Sequence, residues 1–554
     1  MKDFFFVEHL SPKGEKNLVL TKKGNLLLFL ASYFFLSLSF PTFYPITLPV
    51  LAWIALVPWF FLVQRNSFWK GLILSFLLGI SFFATSVYWI GKVTPPGYIT
   101  TVLIFGLYSI IFFMGAYFFF QTKSPWAILS VSMWWIFVHY IRANYLFIRF
   151  PWYTLGYSQG NIDLIIQSAD IWGIFGITLL VVLVNASLFS WLDWKISKEE
   201  GKLFVSKALT AFSVLFLLST IIYSWFRLSH IQKIEKECLT LTIIQANIPQ
   251  ELKASGLSYD RIQREHMELT QEAYHKGKTD LILWPETMFT PMPVYMRELV
   301  TWIARHKQPM LVGAVLAWRD KKGEAHFTNS ILYFNKRGQI VEGPQGDYRP
   351  FDRKPVGIYD KVYLVPLSEY IPFKKSFPPL YRLLKSWIPP GFASMDHGDG
   401  AKVFSLKGHK FAPSICFEIS FPLLSREGVQ KGAHLLLNLS NDGWFMGTRE
   451  LENSQILGRV RAIETRRGVV RALNGGYSCF IHPTGSIINL RDKQGRVGRR
   501  GFLTQRGRTT SILTLYVKWG DWIMAFPLLV LINFLAWTFL NTRRKRKDET
   551  SKEA

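Results

Sequence analysis

The sequence has 554 residues, is 49% hydrophobic and 16% aromatic, and carries a formal net charge of +26. That length allows more than one folded unit at roughly 100–200 residues per domain, and so apolar and basic a balance is unusual for a soluble protein. The three cysteines, Cys238, Cys416 and Cys479, are far apart, odd in number and without CxxC or zinc-ligand spacing, so neither a disulfide framework nor a structural metal is implied.

The charge points to nucleic acid or to a membrane surface, and its distribution favours the membrane. Seven apolar stretches precede residue 230, at about 24–41, 47–64, 69–91, 98–120, 125–147, 168–192 and 204–226, and an eighth lies at 521–540. Each approaches the ~20 apolar residues that cross a hydrocarbon core. The first lacks a small-residue cleavage site and reads as an anchor. Basic residues mark alternate loops: Lys13, Lys16, Lys22 and Lys23, then Arg65 and Lys70, Lys123, and Lys195, Lys198 and Lys202, with the tail Arg543–Arg544–Lys545–Arg546–Lys547. The intervening "PTFYPIT" and "GKVTPPGY" are nearly uncharged. Lys and Arg stay on the cytoplasmic side, so both termini are expected there and the 230–518 region on the opposite face.

The long loop 141–170 holds "RFPWYTLGYSQG". Phe150, Trp152, Tyr153 and Tyr157 suit a membrane interface or a substrate contact, and Arg142 and Arg149 suit lipid phosphates. Three domains are expected: 1–230 with seven spans, 231–518, and 519–554 with the last span and basic tail.

The middle region alternates strands and helices. Residues 238–248, 279–286, 410–419 and 433–442 read as strands, the second of them ending at a proline. Residues 259–275 and 452–468 read as helices, 301–316 as a helix then a strand. Residues 328–343 read as a hairpin turning at Lys336–Arg337–Gly338, and "VVRALNGGYSCFIHPTGSIIN" as another. Val/Ile/Leu-rich strands of this kind form buried α/β sheets, which place reactive residues at strand ends. The Asp396–His397–Asp399 cluster reads as a loop. No HExxH occurs, and neither a metal nor a cofactor is expected.

Three residues adjoin hydrophobic strands: Glu286 after "LILWP", Lys361 in "YDKVYLVPLSEYIP" and Cys416 in "APSICFEISFP". Singly, each has an ordinary reading: a helix-capping Glu, a solvated Lys, a buried Cys. Together they form a covalent acyl-transfer set without histidine. A carboxylate takes the thiol proton, the thiolate attacks, and an ammonium holds the oxyanion.

The order Glu, Lys, Cys resembles the nitrilase superfamily. With eight spans, "FPWYTLGYSQ", "ANIPQ", "LWPET", "YDKVYLVPLSEYIP", "ICFEISFP" and "NLSNDGWFMGT", nearly the whole chain resembles the apolipoprotein N-acyltransferase family of bacterial inner membranes. The resemblance implies an α-helical membrane bundle plus an α/β nitrilase-like (αββα sandwich) extracytoplasmic domain. It casts Glu286 as general base, Cys416 as acyl-accepting nucleophile and Lys361 as oxyanion clamp. Glu369 would orient the lysine, while Glu418 and Asn329 would support the site and the backbone N–H of Phe417 would add an oxyanion donor. It further implies a phospholipid acyl donor, the α-amine of a diacylglyceryl cysteine as acceptor, the lipid bilayer as surroundings and no nucleic acid.

The chain departs from the family in several places. Leu367–Ser368 replaces Phe-Gly before the second Glu, and Phe417 replaces a Tyr. "ELKASG" replaces a Trp-containing stretch, "HYIR" stands for "EWLR", and 343–357 is an insertion. No catalytic group is lost. Two other readings remain: a membrane-tethered amidase passing the acyl group to water, and a transporter with a degenerate soluble domain. Few ionisable residues fall in the spans, which disfavours the transporter.

Overall fold

In a computed structural model of the chain, the described residues are 6–10, 16–145, 149–254, 259–289, 291, 293–319, 323–341, 357–374, 376–386 and 394–553. The expected insertion at 343–357 lies, but for Gly357, outside them. The chain divides into two compact units, Met1–Trp225 with Asp521–Ala554, and Phe226–Gly520.

The first unit opens with a hairpin of β1 (Phe6–Leu10) and β2 (Lys16–Leu20) and is otherwise helical. Among the described residues, five helices are long and apolar enough to cross a membrane: Phe68–Ser86, Pro95–Gln121, Ala169–Ser197, Glu200–Ile234 and Trp522–Asn541. The other three expected stretches are helical but shorter. Lys22–Leu38 has 17 residues and Ala127–Asn144 has 18, while 47–64 is split between Pro49–Trp53 and Val57–Gln64. At 1.5 Å per residue, 17 residues reach about 26 Å, just short of a ~30 Å core.

The aromatic loop differs from expectation. Phe150, Trp152, Tyr153 and Tyr157 are buried within this unit. Phe150 stacks on Trp152 at 4.7 Å between centroids, and Tyr153 packs edge-on to Phe40 at 5.6 Å. Arg142, expected at lipid phosphates, is fully buried and donates to the Trp152 carbonyl at 2.9 Å. Its guanidinium lies over Phe83 and Phe105, 5.4 and 5.7 Å from the centroids. Aromatic faces and a carbonyl meet the buried cation only in part, since its Nε and Nη1 have no hydrogen-bond partner among the described residues; the loop closes inward, and Arg149 remains exposed.

The second unit is a sandwich of two six-stranded sheets. One has the order β14 (Gly501–Thr509), β3 (Lys236–Gln245), β4 (Leu281–Phe289), β5 (Met310–Arg319), β6 (Ala325–Phe334) and β7 (Ile358–Asp360). The other runs β13 (Ile487–Asn489), β12 (Cys479–Ile481), β11 (Gly468–Leu473), β10 (Leu435–Ser440), β9 (His409–Ile415) and β8 (Phe404–Leu406). Each has three parallel strands at its heart, β3–β4–β5 and β9–β10–β11, flanked by antiparallel ones. The halves thus share a pairing scheme without a repeated sequence.

Strand residues of alternate parity bury to opposite sides. Leu241, Leu283 and Leu311 of one sheet meet Phe411, Leu437 and Val470 of the other in the central core. Ile244, Trp284 and Val312 face helices Tyr259–Lys276 and Pro293–His306 on one outer side. Leu436 and Val469 line a second outer core with Ala462 of helix Glu450–Thr465 and Val429 of helix Pro422–Gln430. The order is therefore helix, sheet, sheet, helix. The expected strands and helices are present with three changes. Strand β4 continues through Pro285 to Phe289, β9 stops at Ile415, and the return arm after Gly338 is a single bridge, Phe334 to Ile340.

Candidate active site

Strand β4 carries Glu286 within a bulge. Trp284 pairs with Val312 and Phe289 with Ala314, so β4 spends more residues than β5 between those points. The bulge closes on Gly313, where an added Cβ would sit 2.3 Å from the Pro285 carbonyl oxygen and 2.6 Å from the Glu286 Cα. Thr287, next along, is held at φ 55°. A β-branched residue there is a genuine outlier, and such strain is concentrated at working sites.

Lys361 follows β7 directly and is 1% exposed. Its Nζ lies 3.1 Å from Glu286 Oε1 and 2.8 Å from Glu369 Oε1. Asn329 on β6 donates to the same two oxygens, at 2.6 and 3.0 Å. The Asn441 backbone N–H gives to Glu286 Oε2 at 2.9 Å, and that of Val365 gives to Glu369 Oε2 at 2.8 Å. Three of the ~four acceptor positions of the Glu286 carboxylate are thereby used. The sequence-predicted Glu286, Lys361, Glu369 and Asn329 thus form one buried network.

Burial pushes the Glu286 carboxyl up, but the Lys361 charge and the bonds from Asn329, Lys361 and Asn441 outweigh it, and the group lies below the usual glutamate range. Burial acts on Lys361 in the neutral direction. The charges of Glu286 and Glu369 reverse this and hold it well above the usual lysine range. At neutral pH the pair is an ionised base beside an ammonium.

Cys416 begins a 3-10 turn, Cys416–Ser420, at φ 53°. It is therefore not inside a strand but at a strained elbow just past one. Its backbone carbonyl accepts from Asn438 Nδ2 at 3.1 Å, and Asn438 in turn accepts from Arg471 Nε at 3.2 Å. Burial pushes the thiol up; the Glu286 charge adds to this and Lys361 opposes it. The resting form is the neutral thiol, so attack requires a base.

Glu418 is completely buried, and its carboxylate is occupied by structural hydrogen bonds. Its Oε2 accepts from the Ile415 N–H at 2.6 Å and the Tyr359 hydroxyl at 2.8 Å, and its Oε1 from the N–H groups of Val362 and Tyr363 at 2.6 and 3.1 Å. One carboxylate thus ties the Cys416 elbow to the segment just after Lys361. Burial pushes it up to about 7 despite these bonds. Phe417 adds a parallel tie, since its ring is edge-on to Phe421 at 4.8 Å and Phe421 stacks on Tyr363 at 4.1 Å.

The Asp396–His397–Asp399 segment straps the lysine from behind. Met395 N–H donates to the Glu369 carbonyl at 2.8 Å and Gly398 N–H to the Lys361 carbonyl at 2.9 Å. Asp396 pairs with His326 at 2.8 Å. Sequence reasoning singled out neither Asn441, Asn438, Asn474, Tyr359, Gln250 nor Lys253. The signal was present in "NLSND" and "ANIPQ", whose polar residues sit at strand ends where a buried amide needs a partner.

Residues 34–187 match the family model described as "Apolipoprotein N-acyltransferase N-terminal domain", and 240–496 match "Carbon-nitrogen hydrolase". The chain is 30% identical to an "Apolipoprotein N-acyltransferase" of Geobacter metallireducens, covering 82% of this chain and 84% of that one. It is 27% identical to "Apolipoprotein N-acyltransferase 1" of Treponema denticola, covering 95% and 98%. A solved structure of an amidase from Nesterenkonia sp. aligns at 16% identity over 51% of this chain and 93% of that one, with a TM-score of 0.34. On the matches in both halves and the extent of the curated likeness, the chain belongs to the apolipoprotein N-acyltransferase family and is an acyltransferase with a carbon–nitrogen hydrolase domain.

Proposed function

We propose that this membrane-bound enzyme moves a fatty acyl chain from a phospholipid, through a thioester on Cys416, to the α-amine of the diacylglyceryl cysteine of an apolipoprotein. The observation that supports this best is the buried Glu286–Lys361–Glu369–Asn329 network beside the Cys416 elbow. Glu286 takes the Cys416 proton as the sulfur attacks the ester carbonyl. Lys361 and the Phe417 backbone N–H hold the oxyanion. The ester C–O bond breaks, Glu286 returns the proton to the leaving oxygen, and lysophospholipid departs. The acceptor amine then attacks the thioester, Glu286 takes its proton, and that proton goes to the departing thiolate. Amide and free thiol result.

Exposing an acyl chain to water costs about 0.8 kcal/mol per CH₂, which gives the membrane unit its purpose: it brings both lipid substrates to the site. Incubation with phospholipid alone is expected to add one fatty-acyl mass to the intact protein, on Cys416. If the acyl group appears only as free acid, the hydrolase reading replaces this one.

We propose the inner membrane on the family likeness, and on the basic loops both termini cytoplasmic with the 230–518 region on the periplasmic side. The domain limits proposed with this topology are 1–230, 231–518 and 519–554, the first and last lying, but for their inner ends, in one compact unit. Arg65 and Lys202, on two of the basic loops, both pair with Asp193, and the Lys202 pair measures 3.0 Å. Reporter fusions after Lys202 and Lys547 are expected to read cytoplasmic, and one at 323–325 periplasmic. A cytoplasmic reading at 323–325 would remove the outer-leaflet substrate.

A further inference from the structure

The general base is also gripped from the side of the "ANIPQ" and "NLSND" segments. The short helix Gln250–Ala254 follows the "ANIPQ" loop, where Asn247 sits at φ 60°. Gln250 and Asn441 exchange side-chain hydrogen bonds. Gln250 Nε2 donates to Asn441 Oδ1 at 2.6 Å, and Asn441 Nδ2 donates to Gln250 Oε1 at 3.3 Å. Asn474 Nδ2 also donates to Asn441 Oδ1 and to the Ile248 carbonyl, both at 2.9 Å, while Asn474 Oδ1 accepts from the Ile248 N–H at 2.7 Å. Asn441 is the residue whose backbone N–H holds Glu286 Oε2. The approach of Gln250 depends on a bare backbone at Gly443, where an added Cβ would lie 2.5 Å from Gln250 Nε2.

One helical turn on, Lys253 Nζ donates to Thr287 Oγ1 at 2.6 Å. Thr287 is the strained residue next to Glu286. A hydrogen bond on its side chain opposes relaxation of the bulge that aims the carboxylate. The ammonium also lies where the Glu286 charge acts on it, and the attraction is mutual.

We propose that the Gln250–Ala254 helix is the positioning element for the general base, with Gln250 fixing Glu286 Oε2 through Asn441 and Lys253 fixing the Glu286–Thr287 backbone while favouring the ionised carboxylate. The proposal rests on the role given to Glu286 above. Neither residue touches the reacting atoms.

The surroundings bear on any pH test. Glu286 is faced by Lys361, Cys416 and Asp442 as well as Lys253, with Glu369 across Asn329. Lys253 is faced by Glu286, by His266 of helix Tyr259–Lys276, and by Tyr259 and Tyr295 across a small cavity that it borders. Tyr295 is itself bonded to Asp260. Burial pulls Lys253 down to about 8, with Glu286 opposing, so it is cationic at neutral pH and loses its charge above that value.

The test follows Cys416 thioester formation by intact mass against pH, in the full-length enzyme with phospholipid in detergent. Removing a cation raises the pKa of a neighbouring carboxylate. Lys253→Met should therefore move the acid limb to higher pH by about 1 unit, the lower end of what a nearby opposite charge does. Lys253→Arg keeps the charge and should keep the parental limb. Gln250→Ala leaves the charge alone and should slow acylation about 10-fold at every pH with the limb unmoved, as misplacement does. A parental limb in Lys253→Met overturns the charge role. A parental rate in Gln250→Ala overturns the positioning role, whether or not Lys253→Met folds. Absence of any adduct on the parent enzyme would instead strike the acyltransfer reading itself.

Discussion

Cys416→Ser is expected to fold, insert into membranes and lose acyl transfer by on the order of 10⁴-fold or more, the scale on which covalent catalysts lose rate when the nucleophile goes. The thiol sits at a strained elbow facing one base and one cation. A hydroxyl in the same place is far less acidic, and no histidine of this network is there to activate it. The other cysteines are internal controls. Cys479 is buried on β12, and Cys238 Sγ donates to the Gly507 carbonyl at 3.1 Å. Cys238→Ser and Cys479→Ser should keep parental transfer. Intact mass after incubation with phospholipid reads all three. An acyl adduct that persists in Cys416→Ser and vanishes in either control would reassign the nucleophile.

Glu286→Gln and Lys361→Ala should fail in opposite ways. Glu286→Gln cannot take a proton, so acylation at neutral pH should nearly stop. It also removes a negative charge that pushes the Cys416 thiol up, while Lys361 remains to pull it down. Burial still holds the thiol high, so ionisation begins well into the alkaline range, yet rate should climb with pH there. Lys361→Ala removes the thiolate's attractive partner and an oxyanion donor, worth on the order of 10²–10³ in rate. Raising the pH restores neither. It also leaves Glu286 and Glu369 buried together without their shared cation. The Glu286 carboxyl, held down by that cation in the parent, then has a folded-state pKa above the unfolded value of ~4.3. Stability should consequently fall as pH climbs from that value to the raised one, and stay low beyond it. Losing one partner of a buried pair costs about 3–5 kcal/mol, so thermal melts across pH belong beside the thioester rates. Equal alkaline recovery in both variants would sink the division into base and clamp.

Glu418 shows where reading residues from motifs stops short. Its place two positions after Cys416 marks it for attention, but nothing in "ICFEISFP" tells that its four bonds go to backbone and Tyr359 rather than to a substrate proton. Arg142 and the "FPWYTLGY" aromatics teach the same lesson in the membrane unit. Composition marks them as interfacial, whereas packing turns them inward, because a buried guanidinium can be met by two ring faces and a carbonyl.

The sequence by itself determined the apolar stretches and the α/β alternation between them, and it marked Glu286, Lys361 and Cys416 as the proposed reactive set. These are local properties: hydrophobic period, span length and the chemistry of a side chain next to a strand. Only the tertiary structure decided that Glu286 lies in a bulge against Gly313, that Cys416 lies past the strand end, and that Asn329 and Asn441 complete the carboxylate's bonds. It alone brought Gln250 and Lys253 to the same base from more than 30 residues upstream. A buried charge must find its partners in space wherever the chain supplies them, and sequence distance carries no record of which strands the two sheets bring face to face.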